Sequence, residues 1–275
     1  MRIDAHQHFW TYHPVKHSWI SDEMSSIRKD FGPKDLEPLL VETNQVGCIA
    51  VQADETEQET VYLLEIANQH PSVKGVVGWT DLKSDQVEER LEYWKMHKKI
   101  VGFRCIMQGQ PDDAYLKNKS FISNVKKLAT YNYTYDLLVY HDQLPSLLRF
   151  TDQLPDNPLI LDHIAKPDIR NKNFKTWSEH IKSLSANPNI YCKLSGMITE
   201  ADYRNWTYEQ IKPYMETVAE HFGTDRICFG SDWPVCLVAG TYQQVYQLVE
   251  TFALQLSQQE KDNLFGLNTA RFYNI

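Results

Sequence analysis

Short and nearly continuous apolar runs recur along the chain, separated by stretches in which apolar residues return every three or four positions. The runs are RIDAHQHFW at the N-terminus, VGCIAVQAD from Val46, VKGVVGWTDL from Val73 and IVGFRCIMQ from Ile100. YTYDLLVYH from Tyr133, PLILDHIAKP from Pro158, NIYCKLSGM from Asn189 and RICFGSDWPV from Arg226 complete the set. They are rich in β-branched and aromatic residues and lack a clean in–out alternation. That is the pattern of parallel strands covered on both faces.

The intervening stretches carry a helical period. TEQETVYLLEIANQH, QLPSLLRFTDQL and YEQIKPYMETVAEHFG predict helices, the last stopping at Gly223. In SDQVEERLEYWKMHKK, Asp85 and Glu88 have the spacing of a capping box. TYQQVYQLVETFALQLS and QQEKDNLFGLNTARFY predict helices at the C-terminal end. Strand–helix alternation through eight strands, without a Gly/Pro/Ser linker, predicts a single-domain α/β fold over residues 1–275, a (β/α)8 barrel. A doubly wound open sheet would call for a glycine-rich phosphate turn after an early strand, and no GxGxxG occurs. The long segment 11–34, with Pro14 and Trp19, follows the first strand. In a barrel it lies on the catalytic face as a lid or wall.

Composition narrows the partners. A net charge of -8 with no Lys/Arg run speaks against nucleic acid. An anionic substrate would need locally placed arginines. No apolar stretch approaches the ~18 residues of a membrane span, and no leader pattern opens the chain. Cys48, Cys105, Cys192, Cys228 and Cys236 are an odd, widely spaced set without CxxC. They read as core thiols in a reducing compartment, so the expected location is cytoplasmic. The composition leaves a homo-oligomer open.

Barrels place their chemistry at the C-terminal ends of the strands. Those ends carry His6 and His8, Gln52 and Asp54, Trp79 and Asp81, Arg104, Tyr140 and His141, His163 and Lys166, Lys193 and Ser195, and Asp232 with Trp233. His6 and His8 are two residues apart on a strand, so both imidazoles leave one face and can share a divalent ion or a proton. Asp232 in GSDWP can act as metal ligand and general base together, or as a loop cap. His163 alone in LDHIAKP would read as a core histidine; with the others at strand ends it reads as part of a site. Arg104 is a permanent charge inside an apolar strand, and either pairs with Asp54 or Asp81 or clamps a substrate oxygen. Lys193 reads as interior packing, and His13, His17, His70, His97, His180 and His221 as solvated surface.

The ordered set HxH, GFR, DHxxKP, KLSG and GSDWP, with the closing NTARFYNI, resembles the amidohydrolase-related (amidohydrolase 2) family. Within that family the chain is most similar to sugar-lactone hydrolases that open L-fucono- or L-rhamnono-lactones. The resemblance implies hydrolysis of a small sugar aldonolactone to its aldonic acid, with one divalent ion, zinc by donor type, or none. It implies metal ligands at His6, His8, His163 and Asp232, and catalysis by Asp232 as general base together with His163. Arg104 and Cys105 stand where the wider superfamily often carries a bridging carboxylated lysine, which argues against two metals. Arg104, Gln52, Trp79, His141 and Trp233 are the expected sugar contacts. A glycine is common before the Lys-Pro of the sixth strand, and this chain has Ala165 there. The alternative is a decarboxylase acting on an aromatic acid, which would want an arginine-rich carboxylate pocket.

Overall fold

A computed structural model describes all 275 residues. The strands are β1 Asp4–Gln7, β2 Cys48–Val51, β3 Val73–Gly78, β4 Ile100–Ile106, β5 Thr134–Leu138, β6 Leu159–Leu161, β7 Ile190–Leu194 and β8 Ile227–Phe229. Each lies within one of the eight apolar runs. All neighbours pair in parallel in the order β1 to β8. The ring closes between the end of β1 and the segment following β8. There the His8 amide donates to the Trp233 carbonyl at 2.7 Å and the Asp232 amide to the His6 carbonyl at 2.8 Å. The fold is the (β/α)8 barrel.

Helices α1 Pro33–Glu42, α2 Glu57–Gln69, α3 Val87–Lys95 and α4 Lys119–Leu128 follow the first four strands. Helices α5 Leu144–Thr151, α6 Lys175–Ser185, α7 Tyr208–Phe222 and α8 Tyr242–Phe252 follow the others. Their packing against the strands forms a core cluster of 68 buried residues. A second cluster joins Ile49, Val51, Val77 and Ile160 to Phe272 and Tyr273, so the C-terminal helix is tied to the barrel.

Local chemistry sets the helix ends. Thr207 and Gln210 cap α7 reciprocally, and Gly223 ends it at φ 73°, where a side chain is disfavoured. The expected Asp85–Glu88 box does not form. Helix α3 starts after Gln86 without a side-chain cap, and the Gln86 amide donates instead to Ser84 Oγ. The last helical stretch is broken as well, into α9 Gln258–Asp262, a π-turn Asn263–Leu267 and α10 Asn268–Tyr273. A Cβ on Gly266 would meet the Met1 carbonyl oxygen at 2.2 Å, so the chain passes too close to the N-terminus for a side chain there.

The segment after β1 is pinned by a two-way backbone bridge between Trp10 and Phe31. Between those anchors, Trp19 and Met24 reach over the barrel mouth. His17 departs from expectation. It is 2% exposed, packed against Trp10 and Tyr12, because the segment folds back on its own aromatics.

Candidate active site

Two stretches of backbone around the mouth take unusual conformations. After β6 the residues His163, Ile164, Ala165 and Lys166 are all left-handed, with φ of 52°, 49°, 60° and 45°. Each such residue costs roughly 1–2 kcal/mol in an L-amino acid. The turn is closed by the Lys166 amide on the His163 carbonyl at 2.7 Å. It is held by Trp177 Nε1 on the Ile164 carbonyl at 2.8 Å and by His141 Nδ1 on the Lys166 carbonyl at 2.9 Å. Ala165 thus occupies a backbone position that suits glycine. Asp232 is left-handed too, at φ 56°. Strain held by surrounding structure is a common attribute of functional sites, and here it aims His163 and Asp232 inward.

The four side chains converge. Asp232 Oδ1 lies 3.4 Å from His8 Nε2, 3.9 Å from His6 Nε2 and 3.9 Å from His163 Nε2. His6 Nε2 and His8 Nε2 are 3.3 Å apart. None of the four is more than 4% exposed. His8 Nδ1 donates to the Val51 carbonyl at 2.7 Å, which fixes the ring with Nε2 toward His6 and Asp232. His163 Nδ1 is held at 2.9 Å by Ser195 Oγ. Burial pushes the imidazoles of His6 and His163 well below their ordinary pKa, so both are neutral. Burial alone would raise Asp232, but its polar neighbours, the Lys166 ammonium among them, hold its carboxyl below the usual range.

Beneath this quartet lies a charged cluster inside the barrel. Lys193 Nζ is 2.9 Å from Asp162 Oδ1, 2.5 Å from Asp136 Oδ2 and 3.1 Å from His6 Nδ1. Arg104 Nη1 donates to Asp162 Oδ2 at 3.0 Å and sits 3.3 Å from His6 Nε2. His6 Nδ1 is 3.3 Å from Asp162 Oδ1. The Tyr273 hydroxyl, from the C-terminal helix, donates to Asp136 at 3.0 Å. Two cations and two carboxylates therefore balance, which is how fully buried charges are kept. Arg104 pairs with Asp162 and not with Asp54 or Asp81. Lys193 is not mere packing, because its ammonium links both carboxylates to His6.

A cavity of about 320 Å³ opens above the quartet. His8, Arg104, His163 and Asp232 form its floor, and Ile106, Leu138, Met24 and Val235 supply apolar wall. Gln108, Lys166, Thr199, Glu200 and Tyr203 supply polar wall. Of the five expected sugar contacts, only Arg104 lines it. Gln52 is fully buried and donates to the Arg104 carbonyl at 3.0 Å, so it supports the strand that carries Arg104. Trp79 packs on the core side, with its amide and carbonyl both bound to the Thr60 hydroxyl. Trp233 is 2% exposed and packs edge-on against Phe9 and Phe31. A large indole next to Pro234 was absorbed by the core. His141 lies in an adjoining depression of about 270 Å³ that shares Lys166 and Glu200 with the main cavity. The sequence reading passed over Asp136 and Asp162, although each is a carboxylate beside an apolar run, the same signal that exposed Arg104. It also passed over Gln108, Thr199, Glu200 and Tyr203, which lie in or next to loops.

The chain belongs to the amidohydrolase family, whose Amidohydro_2 model, described as "Amidohydrolase", matches residues 3–275. It is 37% identical over 286 residues to an L-fucono-1,5-lactonase of Burkholderia multivorans, covering 100% of this chain and 96% of that protein. A crystal structure of an amidohydrolase from Burkholderia multivorans with bound zinc superposes with a TM-score of 0.97 at 37% identity, covering 100% of this chain and 99% of that chain. A 2,6-dihydroxybenzoate decarboxylase shares the fold alone, at 13% identity and a TM-score of 0.71 with 100% and 99% coverage.

Proposed function

We propose that the protein hydrolyses the ring ester of a sugar aldonolactone of the L-fucono-1,5-lactone kind, with Asp232 as general base. The observation that carries the reading is the carboxylate of Asp232, ionised and set among three imidazole Nε2 atoms at 3.4–3.9 Å on the floor of a sugar-sized cavity. The names of the full-length relatives support the substrate class.

The donor set fits a divalent ion. Around a tetrahedral zinc with ligand bonds near 2.1 Å, donor atoms lie about 3.4 Å apart. The separations of 3.3, 3.4 and 3.9 Å among His6, His8 and Asp232 lie near that spacing, and His163 stands 3.9 Å from Asp232 on the far side of this trio. Neutral imidazoles and an ionised carboxylate are the required protonation states. A bound zinc would supply Lewis acidity toward the lactone carbonyl or toward water.

Asp232 accepts a proton from a water molecule as the water oxygen attacks the lactone carbonyl carbon. Negative charge gathers on the carbonyl oxygen and is met by Arg104 and by His163 at the cavity floor; each such donor commonly contributes about 3 kcal/mol. When the ring C–O bond breaks, Asp232 returns its proton to the departing alkoxide. The products are the carboxyl group and the free ring hydroxyl, so the carboxylate is regenerated.

The decarboxylase alternative calls for a positively charged seat for a substrate carboxylate. The cations lining the cavity, Arg104 and Lys166, each face a carboxylate, Asp162 and Glu200, and Asp232 adds a further negative charge, so the cavity carries no positive excess. All five cysteines are free and buried, which suits an enzyme of the reducing cytoplasm. No helix is long and apolar enough to cross a membrane.

The test is a pH-indicator assay on aldonolactones of both hands and both ring sizes. L-Fucono-1,5-lactone should be opened well above its spontaneous rate. Acid release at the spontaneous rate across the whole set would overturn the reading.

A further inference from the structure

We propose that the Lys166–Glu200 pair, with the amide of Gln108, reads neighbouring ring hydroxyls and so sets the enzyme's preference for a polyhydroxylated lactone. This rests on the lactonase reading above and names the groups that would make it selective.

Lys166 stands on the left-handed turn after β6, and Glu200 ends the short 3-10 turn Ile198–Glu200 after β7. Their ammonium and carboxylate approach to 3.5 Å, with side chains 16% and 20% exposed, and both line the main cavity and the depression beside it. A charge-assisted hydrogen bond of full strength runs to about 2.7–2.9 Å, so this pair is loose and both groups keep unused capacity. Lys166 has N–H donors to spare and Glu200 has an oxygen to spare. A ring hydroxyl is one donor and two acceptors. An ammonium and a carboxylate side by side therefore suit two adjacent hydroxyls, one accepting from Lys166 and one donating to Glu200.

Gln108 adds an independent observation. It follows β4 and lines the same cavity, and its Oε1 is buried without any hydrogen-bond partner. A buried amide oxygen left unpaired is unfavourable unless a ligand donates to it. Ile106 and Leu138, at the ends of β4 and β5, also line the cavity and offer an apolar surface to the C–H side of the ring. A pair serving only to tie two loops together would have no reason to face a cavity that also holds an unpartnered amide.

Discrimination by hydrogen bonding is strong because the analogue lacking the hydroxyl leaves polar groups unpaired. The experiment compares kcat/KM for L-fucono-1,5-lactone with that for δ-hexalactone, which keeps the ester ring and a methyl group but has no ring hydroxyls. In Glu200→Gln and Lys166→Met the preference for the sugar lactone should shrink roughly 10- to 100-fold, mostly through KM, and in Gln108→Leu roughly 10-fold. Where δ-hexalactone turnover does not exceed background, its inhibition constant against the sugar lactone replaces it. Thermal melting of each variant separates a folding defect from a recognition defect. An equal loss on both lactones in variants that melt like the parent overturns the proposal while leaving lactone hydrolysis intact. Failure of the parent enzyme on every lactone overturns the lactonase reading and this proposal with it.

Discussion

Around His6, each charged group is held by another charged group inside the barrel. Across the cavity, Lys166, Thr199, Glu200 and Tyr203 are half-buried and hang from turns that follow β6 and β7. The floor is assembled from strands and the residues just beyond them, with Asp136, Asp162 and Lys193 wholly buried and Arg104 3% exposed. The outer wall is assembled from connections, and its one ion pair is a loose 3.5 Å. The contrast separates two tasks. A reacting carboxylate needs a fixed position and a fixed protonation state, which rigid elements and paired charges provide. A recognition wall needs hydrogen-bonding capacity left over for the ligand, which a fully satisfied network cannot offer.

The contrast can be broken from the floor first. Lys193→Met leaves Asp136 and Asp162 buried together without their shared cation. Removing one partner of a buried pair typically costs about 3–5 kcal/mol, and urea unfolding should show a loss of that size. A loss under 1 kcal/mol would mean that the cluster does not stabilise the barrel as described. Next, Gly196→Ala places a methyl 2.6 Å from His163 Nδ1, at a backbone φ of 62°. Displacing His163 by about 1 Å should lower kcat roughly 100-fold. The circular dichroism spectrum should stay unchanged.

The wall's own support has a pH signature. Glu59 in α2 accepts from the Ala53 amide at 3.2 Å, and Ala53 lines the cavity. Burial pushes the Glu59 carboxyl up from 4.5 to about 7. The folded state therefore binds this proton more tightly than the unfolded state. The stability it contributes is full below pH 4.5 and is lost as pH rises through about 7. Glu59→Gln should gain stability relative to the parent between pH 5 and pH 8, by up to ~3 kcal/mol. A difference that does not vary with pH would refute the assignment. The smallest effect is expected on the wall itself. Tyr203→Phe keeps the ring and removes one hydroxyl from a half-buried site, so KM should move by no more than about threefold, with Tm unchanged.

The same division explains what could be read from the chain. Each of the eight strands falls inside an apolar run, because a strand covered on both faces leaves a continuous apolar signature. His6, His8, His163 and Asp232 were visible because each interrupts such a run at its end. Asp136 and Asp162 gave the same kind of signal, but a carboxylate beside leucines says nothing of its partner until strands β5, β6 and β7 are adjacent. Glu200 and Tyr203 gave no signal, since acidic and aromatic residues are ordinary in loops. Trp79 and Trp233 misled for the opposite reason. A tryptophan near a strand end packs into the core as readily as into a cavity, and only the fold decides which.

The most direct test of the central claim is the turnover of Asp232→Asn on L-fucono-1,5-lactone, measured together with its melting temperature. Loss of the base should lower kcat by roughly 10²–10⁴-fold in a protein that melts like the parent. Turnover within threefold of the parent, in a protein equally well folded, would contradict the account.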